Sequence, residues 1–183
     1  VRLRTKVVEQ TQLDLLNRLV LASEYRYDPS GAHAWRVGRV SMLLAEMKGL
    51  PADQVDLIKK TAPLHDVGRI GVPDAIILKE GPYEPAEWEA MKAHTKIGSK
   101  ILADSRSALL MMAREIALTH HERWDGKGYH HLKSTQIPLT GRIVALVDAF
   151  DVMTHACTYK APLNISAARA EIERHAGTQV VCQ

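Results

Sequence analysis

The sequence predicts an all-α domain, and two observations support that prediction. Apolar residues recur at helical spacing along nearly the whole chain, whereas the alternating pattern of a half-buried strand is nearly absent. The composition is globular, since 46% of the 183 residues are hydrophobic, 25% are charged, and only 11 are Gly and 8 are Pro. These proportions exclude collagen-like and disordered chains. We therefore expect a helical bundle of about seven helices that follow an N-terminal leader helix.

Turn and cap signals divide the helical pattern into elements. A leader helix is predicted over about residues 4–24, because Leu13, Leu16 and Leu19 share one face and Asp28-Pro29-Ser30-Gly31 follows as a turn. Residues 25–183 contain no repeat or linker and are expected to form one domain. Glycine and proline signals predict its helices at 32–48, 53–65, 85–102, 108–121 and 138–154, with a helical turn at 73–78 and a last helix at 166–175 capped by Ser166.

Charge, cysteine content and hydropathy exclude several classes of protein. The net charge of +3 is too small to predict a nucleic-acid-binding surface. Cys157 and Cys182 have no paired spacing, so reduced thiols in a cytoplasmic protein are expected. No apolar run approaches the ~18 residues of a membrane helix, and the start lacks a signal-peptide pattern, so no membrane contact is expected. The leader helix begins without a methionine or a cap, which suggests a piece of a longer chain.

Histidines and aspartates occur where one helical bundle can gather them. Imidazoles with carboxylates suit Mn, Fe, Ni or Zn, and seven ligands suit two ions that share an aspartate. A single histidine such as His33 or His94 is more often an ordinary hydrogen-bonded residue. Asp148 differs because it interrupts an apolar helix, where a carboxylate must be paired or bound to a cation. The candidate ligands are His33, His65, Asp66, His94, His120, His121 and Asp148.

Two ten-residue motifs contain four of the candidate ligands. They are His65-Asp66-Val67-Gly68-Arg69-Ile70-Gly71-Val72-Pro73-Asp74 and His120-His121-Glu122-Arg123-Trp124-Asp125-Gly126-Lys127-Gly128-Tyr129. Shorter motifs occur at Met91-Lys92-Ala93-His94, Ile137-Pro138-Leu139, Asp148-Ala149-Phe150-Asp151 and Tyr159-Lys160. In this order the motifs resemble the HD-GYP family of bacterial metal-dependent phosphodiesterases, which hydrolyse cyclic di-GMP. The resemblance implies that the seven candidates bind two divalent metals, Fe or Mn before Ni or Zn, with Asp66 as the bridge. A hydroxide bridging the metals would then open cyclic di-GMP to pGpG, which some members cut again to GMP.

The resemblance also implies roles for residues outside the ligand set. Arg69 replaces the family's usual lysine and is expected to take part in catalysis with Asp66 and to hold a phosphate oxygen. Tyr129 and Lys160 are expected to bind substrate. Asp151 lies one turn after Asp148 and is a candidate for relaying a proton to the leaving oxygen.

Several positions depart from the family pattern. Pro29 stands where many members carry a glutamate ligand for a third metal, so two ions are predicted. The signature Gly-Tyr-Pro reads Gly128-Tyr129-His130, which loses the fixed φ of proline and gains a titratable ring. His130 and His131 are candidates for extra ligands or phosphate contacts, although solvent-facing positions are the expectation. Cys157 replaces an arginine, and a missing contact of that kind costs about 1.5–3 kcal/mol of substrate binding.

These departures leave more than one functional hypothesis. The first is a cyclic di-GMP phosphodiesterase of modest turnover, with cyclic GMP-AMP as an open alternative substrate. The second is a weak or inactive domain that senses cyclic dinucleotides or binds another protein. A phosphohydrolase of monomeric nucleotides fits less well, because His94 and the His120-His121 doublet exceed a one-metal set. The resemblance further implies an upstream sensory or receiver domain that acts through helix 4–24, with either a homodimer or intramolecular packing along that helix.

Overall fold

The computed structural model describes residues 2–26, 28–155 and 161–179, and the regular structure of these residues is helical, which confirms the predicted all-α class. The α-helices are α1 (Arg2–Glu24), α2 (Ala32–Met47), α3 (Ala52–Thr61), α4 (Asp74–Ile77), α5 (Pro85–Ile101), α6 (Ala108–Thr119), α7 (Leu139–Thr154) and α8 (Ile165–Arg174). Short 3-10 helices are formed by Ala62–Leu64, Val67–Gly71 and Ser134–Gln136. Within the described ranges, none of the helices has the length and apolar character needed to cross a membrane.

Three adjoining hydrophobic clusters hold the bundle together. Each fully buried aliphatic side chain in such a core contributes about 1.5–3 kcal/mol. The first cluster joins α1 to α6 and to Leu102, the residue that follows α5. The second joins α2 to α6 and α7, and the third joins α2 to α3 and α7. The elements that carry the predicted ligands are thereby fixed relative to one another. Representative buried members of the three clusters are Val20, Leu64 and Leu102, then Val37, Ile116 and Val144, and then Ala45, Ile58 and Ile143.

The end of α1 packs on the bundle of its own chain. Val20 is buried in the first cluster, and Leu16 and Leu19 lie against the same cluster. Arg26, just beyond the helix, donates hydrogen bonds to the carbonyl oxygens of Val72 (3.0 Å) and Arg69. This arrangement is the intramolecular packing that the sequence left open, while a homodimer through α1 stays a prediction.

The single helix predicted over residues 53–65 is wrong. The α-helix ends at Thr61 and the chain continues as the 3-10 turn Ala62–Leu64, in which the His65 N–H donates to the carbonyl of Ala62 at 3.1 Å. Pro63 has no N–H to donate to an α-helical hydrogen bond, which accounts for the tighter turn. The turn takes His65 and Asp66 off the helix and into the interior, where both are buried.

The predicted cap of the last helix is also wrong. Ser166 lies inside α8, and the cap is Asn164, whose Oδ1 accepts a hydrogen bond from the Ala167 N–H at 2.8 Å. Asparagine and serine are both strong N-cap residues, so the two positions compete in the sequence pattern. Asn164 has the extended backbone that a cap requires.

Candidate metal centre

All seven predicted ligand side chains meet at one place in the fold. Ligand atoms form two groups, each with its atoms within 4.8 Å of one another, and Asp66 belongs to both. Asp148 lies against the first group, with its Oδ1 3.3 Å from His33 Nε2 and 4.0 Å from His65 Nε2. Each of the two groups could hold a cation, and one carboxylate is common to both. The first group is His33, His65 and Asp66, and the second is Asp66, His94, His120 and His121.

The Asp66 carboxylate lies between the two groups. Its Oδ1 is 3.3 Å from His94 Nε2 and 3.5 Å from His120 Nε2, and its Oδ2 is 3.2 Å from His65 Nε2. Burial by itself would raise the pKa of Asp66, but Arg69 and the neighbouring histidines outweigh burial and hold that pKa well below its usual value. Asp66 is therefore an ionised carboxylate that faces imidazoles on both sides.

Main-chain carbonyls orient three of the histidine rings. The Nδ1 atoms of His65, His94 and His120 lie 2.9, 2.7 and 3.1 Å from the carbonyl oxygens of Ala62, Met91 and Ile116. Because a carbonyl only accepts, each Nδ1 carries a proton, so the neutral form of each ring has its lone pair on Nε2, which faces the centre.

These inward-facing atoms fit a divalent cation. The Nε2 atoms of His94 and His120 are 3.4 Å apart, a distance at which two lone pairs repel rather than bond. Within the described part of the chain, His65 Nε2 and Asp66 Oδ1 are buried without a hydrogen-bond partner, while Asp66 Oδ2 lies 2.7 Å from Arg69 Nη2. Buried polar atoms require a partner, and imidazole nitrogens with carboxylate oxygens are ligands for divalent transition metals.

The same span of sequence matches a known family. The family model described as HD domain covers residues 18–180, which include every residue of the two ligand groups. The chain belongs to the HD domain family. The resemblance to HD-GYP phosphodiesterases, recognised from the two motifs, is confirmed as well.

Several curated proteins are similar to this HD domain. A cyclic di-GMP phosphodiesterase of Thermotoga maritima is 48% identical over 166 residues, which cover 90% of this chain and 44% of the relative. The cyclic di-GMP phosphodiesterase response regulator RpfG of Xanthomonas campestris is 40% identical over 171 residues, covering 93% and 45%. A 3′3′-cGAMP-specific phosphodiesterase of Vibrio cholerae is 39% identical over 171 residues, covering 93% and 33%. The chain thus spans a third to just under half the length of these relatives.

Solved structures share the fold of the HD domain. Bd1817, an HD-GYP-type protein from Bdellovibrio bacteriovorus, superposes with a TM-score of 0.64 at 22% identity, over 80% of this chain and 47% of that protein. The HD domain of the phosphodiesterase PgpH from L. monocytogenes superposes with a TM-score of 0.58 at 16% identity, over 85% of this chain and 83% of that domain. At these identities the likeness concerns the fold.

The predicted substrate-binding residues lie at different places. Arg69 is partly exposed, and its Nη2 is 2.7 Å from Asp66 Oδ2, so its guanidinium borders the ligand groups. The Tyr129 ring lies against His121, with 4.7 Å between the ring centroids, and burial raises the pKa of its phenol to about 12. Tyr129 therefore stays protonated near neutral pH. Lys160 and Cys157 lie outside the described residues.

Asp151 is held in a network that the sequence did not predict. One of its oxygens is 2.8 Å from His33 Nδ1, and Arg36 donates to both oxygens at 2.7 and 2.8 Å. Burial would raise the pKa of Asp151, but the hydrogen bonds from Arg36 and His33 lower it to about 2. These contacts favour orientation of His33 by an ionised carboxylate over proton donation to a leaving group. A carboxylate bound to the outer nitrogen of a ligand imidazole fixes the ring and its tautomer.

We expect replacement of Asp151 by Asn to weaken cation binding at the His33 group by about 10- to 100-fold. Asparagine keeps the size of the side chain but loses the charge that pairs with Arg36 and orients the His33 ring. Titration against a chelating indicator dye measures the affinity. Glu173→Gln is the control, because it removes one half of an exposed carboxylate–arginine pair with Arg169 on α8. Equal cation affinities of Asp151→Asn and Glu173→Gln would show that Asp151 does not orient His33 for cation binding.

In the absence of bound cations, the histidines of the two ligand groups have different pKa values. Burial alone would lower the pKa of His33, but hydrogen bonds with Asp148 and Asp151 outweigh burial and raise that pKa to about 10. In the other group, burial lowers the pKa of His94 to about 4 and that of His121 well below its usual value. Near neutral pH a cation must displace a proton from His33, whereas His94 and His121 are already neutral.

We expect the cation affinity of the His33 group to rise by at least about tenfold per pH unit between about pH 6 and 8, because each ion bound releases the His33 proton, and the pKa of His65 in the same group is raised as well. The affinity of the His94 group should change less, since its low-pKa rings have no proton to release there. Calorimetric titration with Mn²⁺ is carried out on two metal-free variants. His121→Ala disables the His94 group and leaves the His33 group to be measured, and His33→Ala does the reverse. The same pH dependence in both variants would contradict the expectation.

Glu24 is a further acid of this region that sequence reasoning missed. It is 1% exposed, and within the described residues neither carboxylate oxygen has a hydrogen-bond partner. Burial raises the pKa of Glu24, and the nearby His65 and His33 partly offset that effect. Leu16, Val20 and Glu24 are spaced by four residues on the buried face of α1. An acid on an apolar face is the signal that singled out Asp148, and it would have found Glu24 too.

Proposed function

We propose that this HD domain is a metal-dependent phosphodiesterase that opens cyclic di-GMP to pGpG and can continue to GMP. The observation that carries the proposal is the pair of ligand groups that share the Asp66 carboxylate. The names of the relatives support the substrate class, since those proteins are phosphodiesterases of cyclic di-GMP or 3′3′-cGAMP. A PgpH HD domain of the same fold, in complex with cyclic di-AMP, supports it further.

Two divalent ions, Fe or Mn in the first place and Ni or Zn in the second, suit the donor atoms of the site. His33, His65 and Asp148 would hold one ion and His94, His120 and His121 the other, with Asp66 shared between them. Two ions rather than three are proposed because Pro29 offers no donor atom. When bound, such cations lower the pKa of water and neutralise charge on a phosphate.

The chain's own residues position the substrate around that centre. The Arg69 guanidinium borders Asp66 and is partly exposed, so it is placed to donate to a non-bridging phosphate oxygen. Aromatic rings extend outward from the ligands: Tyr129 lies on His121, Trp88 is 5.8 Å from Tyr129, and Tyr83 is 6.0 Å from Trp88. Trp88 is exposed, and an aromatic face of this kind binds a nucleobase by stacking, worth about 1–3 kcal/mol per base.

The proposed function is tested with protein purified without oxygen. Its metal content is measured, Mn²⁺ or Fe²⁺ is restored, and the products from cyclic di-GMP and 3′3′-cGAMP are separated by chromatography. The expected result is pGpG from cyclic di-GMP, and the ratio of the two rates gives the base preference. If the loaded protein binds both dinucleotides without cutting either, the sensor alternative replaces the phosphodiesterase. If the protein takes up no cation, the proposed centre is wrong.

Regulation through α1 belongs to the same proposal. The helix is continuous from Arg2 to Glu24, and its last turn carries the buried Glu24. Val8 and Leu15, seven residues apart, are exposed on its outer surface. We propose that an upstream sensory or receiver domain acts through this helix, with a second copy of the chain packed along Val8 and Leu15.

A further inference from the structure

The ring of His130 is tied to α5 rather than turned to solvent. His130 is half-buried, which differs from the expectation drawn from the sequence, whereas His131 is exposed as expected. The His130 Nε2 lies 2.9 Å from the hydroxyl oxygen of Thr95, the residue that follows the ligand His94. That hydroxyl donates its single proton to the Lys92 carbonyl at 2.9 Å. The His130 ring is therefore the donor, with its proton on Nε2.

The main chain of His130 makes a second bond. Its N–H donates to Oε1 of Glu122 at 2.6 Å, and the Leu132 N–H donates to Oε2 of the same carboxylate at 2.8 Å. Glu122 is 4% exposed and directly follows the ligand His121. A buried carboxylate needs such donors, because leaving one of its oxygens without a partner carries a large desolvation cost. The loop after Tyr129 is thus hydrogen-bonded to Thr95, which follows His94, and to Glu122, which follows His121.

The position of Tyr129 is fixed from both sides. Gly128, just before it, is packed so closely that a Cβ would lie 2.6 Å from the Arg123 nitrogen, so the loop approaches the backbone next to His121 directly. Beyond it, His130 closes the loop against Glu122 and Thr95. Between these anchors the Tyr129 ring lies 4.7 Å from the ring of His121 and 6.3 Å from that of His94.

We propose that His130 is a positioning residue that holds the Tyr129 ring against the ligand imidazoles, through two hydrogen bonds that a proline at this position is unable to make. Proline has no N–H for Glu122 and no ring nitrogen for Thr95. The inference rests on the proposed function, in which Tyr129 binds substrate. It also explains the departure from Gly-Tyr-Pro. In this chain, hydrogen bonds from His130 to Glu122 and Thr95 restrain the loop where proline would do so through its fixed φ.

Three substitutions of His130 test the proposal. His130→Pro removes both bonds and should raise KM for cyclic di-GMP by about tenfold, with the metal content unchanged. His130→Ala keeps the N–H and should raise KM less. His130→Gln keeps the N–H and a side-chain donor and should stay within about twofold of the parent. His131→Asn is the control, because asparagine tolerates the φ of 62° of the exposed His131.

A double-mutant cycle with Thr95→Val separates positioning from a general loss of structure. If His130 acts through Thr95, the effects of His130→Ala and Thr95→Val on KM should not add. A KM for His130→Ala and His130→Pro equal to that of the parent would overturn the proposal, and so would fully additive effects.

A second readout does not depend on hydrolysis. In metal-free protein, His130→Ala should speed hydrogen exchange at the amides of residues 129–132 by about tenfold, because loss of the bond to Thr95 frees the loop. Unchanged exchange would count against the proposal. Faster exchange in a chain that cuts no cyclic dinucleotide would leave the positioning role in place and refute the proposed function instead.

Discussion

Replacing Asp66 with Asn is expected to empty both cation sites and to lower kcat for cyclic di-GMP by at least about a thousandfold, equivalent to about 4 kcal/mol of barrier. Among the residues that the structure describes, Asp66 is the one that belongs to both ligand groups, so one substitution affects the two groups together. An amide keeps the shape of the side chain but removes the negative charge that faces His65, His94 and His120.

Metal analysis after dialysis and single-turnover hydrolysis measure the two effects of this substitution. Asp56→Asn is the matched control, since Asp56 is exposed on α3 and pairs with Lys60 on the same helix. The helical circular dichroism of Asp66→Asn should match that of the parent, because the core clusters contain no ligand. A variant that kept its metal and its turnover would show that Asp66 bridges nothing.

Replacing Gly68 with Ala is expected to lower the free energy of unfolding by about 3 kcal/mol or more. A Cβ on Gly68 would lie 1.9 Å from the carbonyl oxygen of His94 and 2.4 Å from the nitrogen of Gly98. Both are backbone atoms of α5, so the helix as a whole has to move. The displacement would also draw His94 away from Asp66, so cation content should fall along with stability.

Urea denaturation of the metal-free proteins measures the stability effect directly. Gly71→Ala is the control, because it lies in the same 3-10 helix and its added Cβ would contact the Ile97 side chain at 3.0 Å, which can adjust. We expect Gly71→Ala to change the free energy of unfolding by less than about 1 kcal/mol. Similar midpoints for the two variants would mean that the close approach at Gly68 does not limit the packing of α5.

Local patterns were sufficient to predict much of this molecule. Helical periodicity gave the all-α class, and the joint occurrence of histidines with Asp66 and Asp148 pointed to residues that the structure brings together. Their role as ligands stays a prediction. The tight turn at Pro63 was missed because apolar spacing continues through it, and the cap at Asn164 was missed because Ser166 is also a good cap.

The remaining features depend on distant parts of the chain. Arg36 and Asp151 are 115 residues apart, so no local pattern predicts that one orients the other. The bond between Thr95 and His130, 35 residues apart, is of the same kind. The close contact of α5 with Gly68 is predictable only when the packing of the two segments is known, because a lone glycine in a sequence is compatible with many turns.

The carbonyls that hold the rings of His65, His94 and His120 have a consequence for metal choice. Their rotamers are frozen during folding, so little conformational entropy remains to be lost when an ion arrives. Rings held in this way would present the same donor spacing to any divalent ion. Selection among Fe, Mn, Ni and Zn would then depend on how well the radius and preferred geometry of the ion match that spacing, and on cellular supply.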